Sequence, residues 1–256
     1  MINSITDLLL VHRDERKQLA YLLLVFILLG AGMAIGRGTA DALFFKRYGI
    51  EYLPLMFILV SVILAVISVL YAAFVDALPA ERFFKIIFVT MIVLLLGNWL
   101  MISLDVSDMV YPAYFLLYEV TSELFLVHSA LYLGQNLVQT QSKRLMPIIL
   151  AGSQVGVIFG GLFLATMSRT LGVQNMLLVW TLLLFVTMAT VVIWHGKKGV
   201  SPYFRAGRKE KSRLQQSINQ VSQGLKFMKT SKLLKMSSFA LFFMVASTYV
   251  LCYSLI

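Results

Sequence analysis

Ionisable side chains inside apolar segments are the residues of this sequence most able to do chemistry. Arg37 and Asp41 stand four residues apart in one apolar segment, and Glu119 and Glu123 stand four apart in another. Residues four apart share one face of a helix. Charged groups cost free energy in lipid and usually mark the pathway of an ion or a solute. The spacing therefore predicts a substrate-binding or coupling site built from two facing helices.

The depth of these residues along their helices indicates which of them can meet. At 1.5 Å of rise per residue, Arg37 and Glu119 each lie roughly 12 Å below the outer surface, with Glu123 deeper and Asp41 nearer the mouth. One interpretation is a set of ion pairs that only fix helix register. The other is a solute or proton site whose pairs break and re-form. Glu123 has no obvious cationic neighbour, which makes it the candidate for proton coupling.

His128 follows the two glutamates in the same segment and is included among the predicted coupling residues. It lies five residues after Glu123, about 140° around the helix, so the two side chains do not share a face. A hydrogen-bonded interior histidine is favoured over a metal ligand, and we predict no metal and no cofactor. Ser122 and Ser153 lack a neighbouring base and an oxyanion site, so we predict no catalytic residues and no enzyme.

Long apolar segments must position these residues. Of 256 residues, 59% are hydrophobic and only 13% are charged, against about a quarter charged in a soluble domain. About 20 apolar residues span a hydrocarbon core, and the single cysteine, Cys252, excludes a disulfide framework. The sequence predicts an all-α membrane protein with seven transmembrane helices, at Leu19–Phe45, Tyr52–Val75, Phe83–Leu104, Tyr111–Leu133, Leu145–Met167, Gln174–Trp194 and Ser237–Ile256.

The distribution of positive charge predicts the orientation of these helices. The chain has 22 Lys and Arg and a formal net charge of +10. Eighteen of the 22 fall on the side of the amino terminus, Lys46, Arg47 and Arg169 fall on the other, and Arg37 lies within a predicted span. Cytoplasmic loops carry such an excess. We therefore expect a multi-pass protein of a bacterial inner membrane with a cytoplasmic amino terminus, with lipids and not nucleic acid as the partner of its basic residues.

The predicted domain order is that of half a transporter. Residues 1–18 form a cytoplasmic amphipathic amino terminus, 19–194 a six-helix bundle, 195–236 a basic cytoplasmic linker and 237–256 a seventh helix. This order matches the amino-terminal six-helix bundle of a twelve-helix major-facilitator transporter plus its seventh helix, so a second six-helix half is expected in the same or another chain. The linker contains a predicted amphipathic helix, which we place on the anionic inner leaflet in preference to a docking site. Its apolar positions are Leu214, Ile218, Val221, Leu225 and Met228.

Glycines spaced four apart predict close packing of the fifth helix. Gly152, Gly156 and Gly160 share one helix face, and the first helix carries a matching stripe at Gly32 and Gly36, continued by Ala40. Such small residues let two helix backbones approach closely in a membrane. A phosphate-binding loop is excluded because no Gly-Lys-Ser/Thr follows.

Several segments together resemble one branch of the major-facilitator superfamily, the ATP/ADP translocase-like (nucleotide exchange) transporters. Residues 36–54 are similar to the first helix and following loop of that branch, and the resemblance covers nearly all of the chain. It continues at Leu70-Tyr71, Asp76 to Arg82, Gln135-Asn136, residues 143–147, the glycine run of the fifth helix, Leu171-Gly172 and residues 230–234.

The resemblance implies twelve helices and exchange of ATP for ADP. It also implies that Asp41, with Glu119 or Glu123, contributes to substrate handling. The family's lysine position holds Ala40 here, so the cation nearest to it is Arg37, one turn away. The function we expect is therefore broader: secondary transport of an anionic, nucleotide-like or phosphorylated solute. The alternative is a non-transporting membrane anchor or sensor subunit of a larger complex.

Overall fold

The computed structural model describes residues 15–75, 80–137, 139–198 and 236. Within these residues the chain is helical and contains no strand, which confirms the predicted all-α class. The predicted linker helix, the seventh helix and residues 1–14 lie outside the described residues. A short 3-10 turn at Ile50–Tyr52 separates the first two helices. The helices are α1 Arg16–Tyr48, α2 Leu53–Val75, α3 Ala80–Ser103, α4 Val110–Asn136, α5 Gln139–Leu171 and α6 Met176–Lys198.

Five of these helices, α1, α2, α3, α5 and α6, are long and apolar enough to span a membrane. The fourth, α4, has the length but also carries two glutamates and a histidine, and it is not among the five. Large apolar side chains face outward, among them Val62, Phe159 and Leu182, which are 60%, 64% and 60% exposed. An exterior of this kind suggests a membrane-embedded protein, because lipid can cover apolar surface that water would not.

Two helices extend beyond the apolar segments that predict them. The first, α1, continues through Lys46 and Arg47 and ends before Gly49, whose φ of 80° is in the left-handed region that favours glycine. The fifth, α5, begins at Gln139, six residues before the predicted Leu145. Hydropathy marks where a helix can contact lipid, whereas backbone hydrogen bonds continue through polar residues that reach water.

The central helix is α1, which packs most extensively against α5, then α6, then α4, while α3 packs against α6 and α4. All contacts described below lie within the first of two units into which the chain divides, residues 1–66 with 78–207. An ion pair joins Glu15 to Arg144 at 3.0 Å, and another joins Arg47 to Asp108 at 2.6 Å. These pairs bring the start of α1 to the start of α5, and the end of α1 to the start of α4. Helix α1 is therefore parallel to α5 and antiparallel to α4.

The glycine face of α5 lies directly against α1. A Cβ atom added at Gly156 would collide with the backbone of Ile27, and one added at Gly160 would collide with the backbone of Ala31. Gly30 of α1 meets the backbone of Ser153 in the same way. The two helix backbones touch here, as small residues permit in membrane bundles.

The predicted partner stripe on α1 lies elsewhere. Gly32 and Gly36 face Trp180 of α6, and a Cβ atom at Gly36 would lie 2.9 Å from the Trp180 indole ring. Gly30 and Gly32 are two residues apart, about 200° around the helix, so they serve opposite sides of α1. Gly152 of α5 meets the Leu23 side chain. The two glycine stripes therefore do not pack against each other as expected. Gly156 and Gly160 of α5 contact the backbone of α1, whereas Gly32 and Gly36 of α1 contact Trp180 of α6.

Candidate functional site

One guanidinium group is shared by two carboxylates where α1 and α4 meet. Arg37 Nε donates to Asp41 Oδ2 at 2.9 Å within α1, and Arg37 Nη1 donates to Glu119 Oε1 on α4. The first contact follows from the four-residue spacing, which puts both groups on one face of α1. The second is possible because α4 runs antiparallel beside α1, so that residues near the start of α4 lie level with residues near the end of α1. Arg37 therefore links two helices while remaining paired within its own. We call Arg37, Asp41 and Glu119 the charged cluster.

Aromatic rings support the cation from one side. The guanidinium carbon of Arg37 lies 5.9 Å from the ring centre of Phe115 and 5.7 Å from that of Tyr118, within range of cation–π attraction. The Arg37 side chain is 38% exposed, while that of Glu119 is 10% exposed. The guanidinium group is thus held by neighbours on α1 and α4, and its side chain remains partly exposed.

The sequence patterns missed these two aromatic residues. Phe115 precedes Glu119 by four residues, so it shares the face of α4 that meets Arg37, and Tyr118 is adjacent in sequence to Glu119. The sequence signal that could have identified Phe115 is an aromatic residue one helical turn from a charged residue. Neither position stands out by composition, because α4 carries four tyrosines and two phenylalanines.

The charges of the cluster do not cancel. One guanidinium faces two carboxylates, so the fully ionised cluster carries a net charge of −1. Asp41 Oδ1 is buried, and in the part of the chain that the structure describes it has no hydrogen-bond partner. Burial of an unpartnered carboxylate oxygen is unfavourable. The cluster can therefore gain stability from a proton on one carboxylate, or from a ligand that brings a donor.

Glu123 lies one turn beyond Glu119 and lines a separate cavity of about 500 Å³ between α1, α4 and α5. The cavity wall is mostly apolar, with residues such as Phe26, Met33 and Leu150. None of the three residues of the charged cluster lines it. The structure thus divides the predicted site in two, with Arg37, Asp41 and Glu119 in one place and Glu123 in the next.

His128 joins neither group. It is fully buried, with its ring centre 5.3 Å from that of Phe83 and 4.9 Å from that of Phe84, both on α3. It follows Glu119 by nine residues, about 13 Å along α4. Among the described residues, no group of three or more His, Cys, Asp or Glu side chains is arranged to hold a metal ion. The surroundings of His128 are those of a packed interior residue.

Comparison with known proteins gives no relative. No protein-family model matches the sequence, and neither a curated protein nor a solved structure is significantly similar to the chain. The resemblance of residues 36–54 to nucleotide-exchange transporters therefore stays a prediction.

Proposed function

We propose that this chain works as a secondary transporter that moves an anionic solute across a membrane by alternating access. The observation that carries the proposal is the sharing of Arg37 between Asp41 on its own helix and Glu119 on the facing helix. Ionisable groups are costly within spanning helices and are retained there chiefly for function. A cation with two competing partners is suited to exchange one of them for a solute.

The switch in this proposal is the contact between α1 and α4. A carboxylate or phosphate group on the free side of Arg37 competes with Glu119 for the guanidinium, which binds such groups in a planar, two-pronged fashion. Release of Glu119 loosens α4 from α1. A ligand shifts a conformational equilibrium only through contacts that differ between the two states, and this exchange of partners supplies one.

The same exchange explains how a proton can take part. Once the solute holds Arg37, the released carboxylate has lost its cation in a poorly solvated place. Protonation of that carboxylate removes the cost, so uptake of a proton accompanies binding of the anion. Exchange of one anion for another is the other way to keep the charge balanced. The proposed solute is nucleotide-like or phosphorylated, in line with the sequence resemblance.

The proposed setting is a bacterial inner membrane, with the start of α1 at the cytoplasmic side. Alternating access in such folds requires two bundles that move against each other. We accordingly propose that a second six-helix half, in the same or another chain, faces α1 and α4. The charged cluster would then lie on the surface between the two halves.

Uptake into liposomes tests the proposal. The native polypeptide is reconstituted and offered a panel of phosphorylated and carboxylate solutes, and the initial rate is compared between the parent and Arg37→Ala. We expect Arg37→Ala to lose at least about tenfold in rate, since a charge-assisted contact contributes about 1.5–3 kcal/mol. Arg47→Ala is the matched control, because it removes an exposed arginine at the end of the same helix.

The outcomes separate the competing functions. The Arg47→Ala variant should transport within about twofold of the parent, because exposed ion pairs contribute little. Equal rates for Arg37→Ala and the parent would remove Arg37 from the mechanism. If the parent moves none of the solutes, the transporter proposal fails and the anchor or sensor subunit becomes the better description.

A further inference from the structure

The cavity beside Glu123 has the size of a ligand site. Its volume of about 500 Å³ falls within the range of pockets that hold small organic molecules. Three helices contribute to its wall, α1, α4 and α5, and two of them also carry the charged cluster. The cavity is therefore a second place at which a molecule can contact these helices.

The wall of the cavity combines one charge with apolar surface. Glu123 is the single charged residue among the residues that line it, and the remaining polar groups are serines and one glutamine. Phe26 and Phe125 supply aromatic surface, and Met33 and Met146 supply flexible thioether side chains that adapt to a ligand's shape. Apolar walls with one or a few placed polar groups are typical of sites that recognise small molecules.

Glu123 has no cation of its own in the described part of the chain. Arg37, which pairs with Glu119 one turn away on the same helix as Glu123, is already held by Asp41 and Glu119. The Glu123 side chain is exposed on the cavity wall and so can reach a ligand. A ligand that fills the cavity displaces water from this carboxylate, and a positive charge on the ligand replaces the lost hydration.

We propose that this cavity binds an organic cation with an apolar body, such as a protonated or quaternary amine, with Glu123 as its counter-ion. The apolar walls take up the body of the ligand, and the aromatic rings add attraction for a positive charge. A multiply charged anion does not fit, because no positively charged side chain lines the cavity. This site is distinct in residues and in ligand charge from the anion contact proposed at Arg37.

A binding experiment with a rigid apolar cation tests the site. The full chain is placed in nanodiscs of zwitterionic lipid, and saturable binding of radiolabelled tetraphenylphosphonium is measured after subtraction of its partition into empty nanodiscs. Tetraphenylborate has nearly the same shape and the opposite charge, so it reports on charge alone. We expect saturable binding of the cation and none of the anion.

Variants assign the binding to the cavity. Glu123→Gln should weaken cation binding by at least about tenfold, the effect of losing one partner of a charge pair that the bound ligand shields from water. Glu123→Asp keeps the charge and should retain most of the affinity. Glu51→Gln is the matched control, since Glu51 is exposed in the turn after α1 and should leave affinity unchanged.

A third variant tests whether the ligand occupies the cavity, without changing the charge of Glu123. Ala130→Trp places a large ring into the cavity from α4 and should abolish binding while Glu123 remains. Each sample is first checked for parental helicity by circular dichroism. The proposal is overturned if the parent shows no saturable binding, if Glu123→Gln binds as tightly as the parent, or if tetraphenylborate binds equally well. Arg37→Ala should keep cation binding, because Arg37 does not line the cavity. The cation-binding result therefore does not depend on whether the transport proposal holds.

Discussion

The contact between Gly156 and α1 makes the most direct prediction about stability. A Cβ atom at Gly156 would lie 2.8 Å from the Ile27 carbonyl carbon and 2.9 Å from its Cα atom, whereas carbon atoms pack at about 3.5–4.0 Å. Backbone atoms cannot rotate away as a side chain can. The added Cβ would also overlap the Ile27 carbonyl oxygen, so Gly156→Ala must move the two helices apart by roughly 1 Å at this point.

The size of the effect follows from that displacement. A gap of 0.5–1 Å forfeits about a quarter to a half of the dispersion attraction of the atoms concerned. Overpacking of this kind typically costs about 1–3 kcal/mol, and we expect Gly156→Ala to lose that amount of unfolding free energy. Gly161→Ala is the control, because no atom lies within 4 Å of its added Cβ, and it should match the parent or gain up to about 1 kcal/mol from the higher helix propensity of alanine.

Unfolding by sodium dodecyl sulfate in mixed micelles, followed by circular dichroism, measures the difference between these variants. Gly160→Ala should cost a similar amount, since it meets Ala31 in the same way. The double variant of Gly156 and Gly160 should lose less than the sum, because helices already separated no longer collide at the second site. Equal stability of Gly156→Ala and Gly161→Ala would refute the close contact between α1 and α5.

Two further outcomes follow from the packing and from the predicted orientation. Gly36→Ala should lower the thermal midpoint of unfolding, because its Cβ would lie 2.9 Å from the Trp180 ring. In a Trp180→Leu background the same change should lower the midpoint less. If the losses of stability of the two single variants simply add in the double variant, the contact is contradicted. In a variant lacking Cys252, Val106→Cys should react with an impermeant maleimide in intact cells, whereas Thr140→Cys should react only after permeabilisation. Labelling in the reverse order would invert the proposed topology.

The sequence predicted the helices better than their contacts. Hydropathy placed α2 within one residue of Leu53–Val75, because a spanning segment must be apolar along its length. It placed the start of α5 six residues late, since polar residues at a membrane surface extend a helix without an apolar signal. The count of residues from the helix ends predicted that Arg37 and Glu119 share a depth, and the structure pairs them.

Helix faces were harder to assign from sequence. Gly32 and Gly36 follow the spacing of a helix–helix contact, but this spacing does not say which neighbour the face meets, and Trp180 lies there. Glu123 looked like a member of the same site as Glu119, four residues away, yet it lines a cavity that the cluster does not reach. A cavity is a gap between three helices, and no pattern within one segment reports it.

The sharing of Arg37 also has a consequence for how the protein is made. Glu119 follows Arg37 by 82 residues, so a ribosome needs roughly 4 to 16 seconds to supply it at ordinary synthesis rates. Asp41 is only four residues away and emerges with the same helical turn. During that interval Asp41 is the carboxylate that lies beside the guanidinium on α1. The aspartate is thus the first partner of Arg37 in the life of each molecule, and the glutamate is the later one.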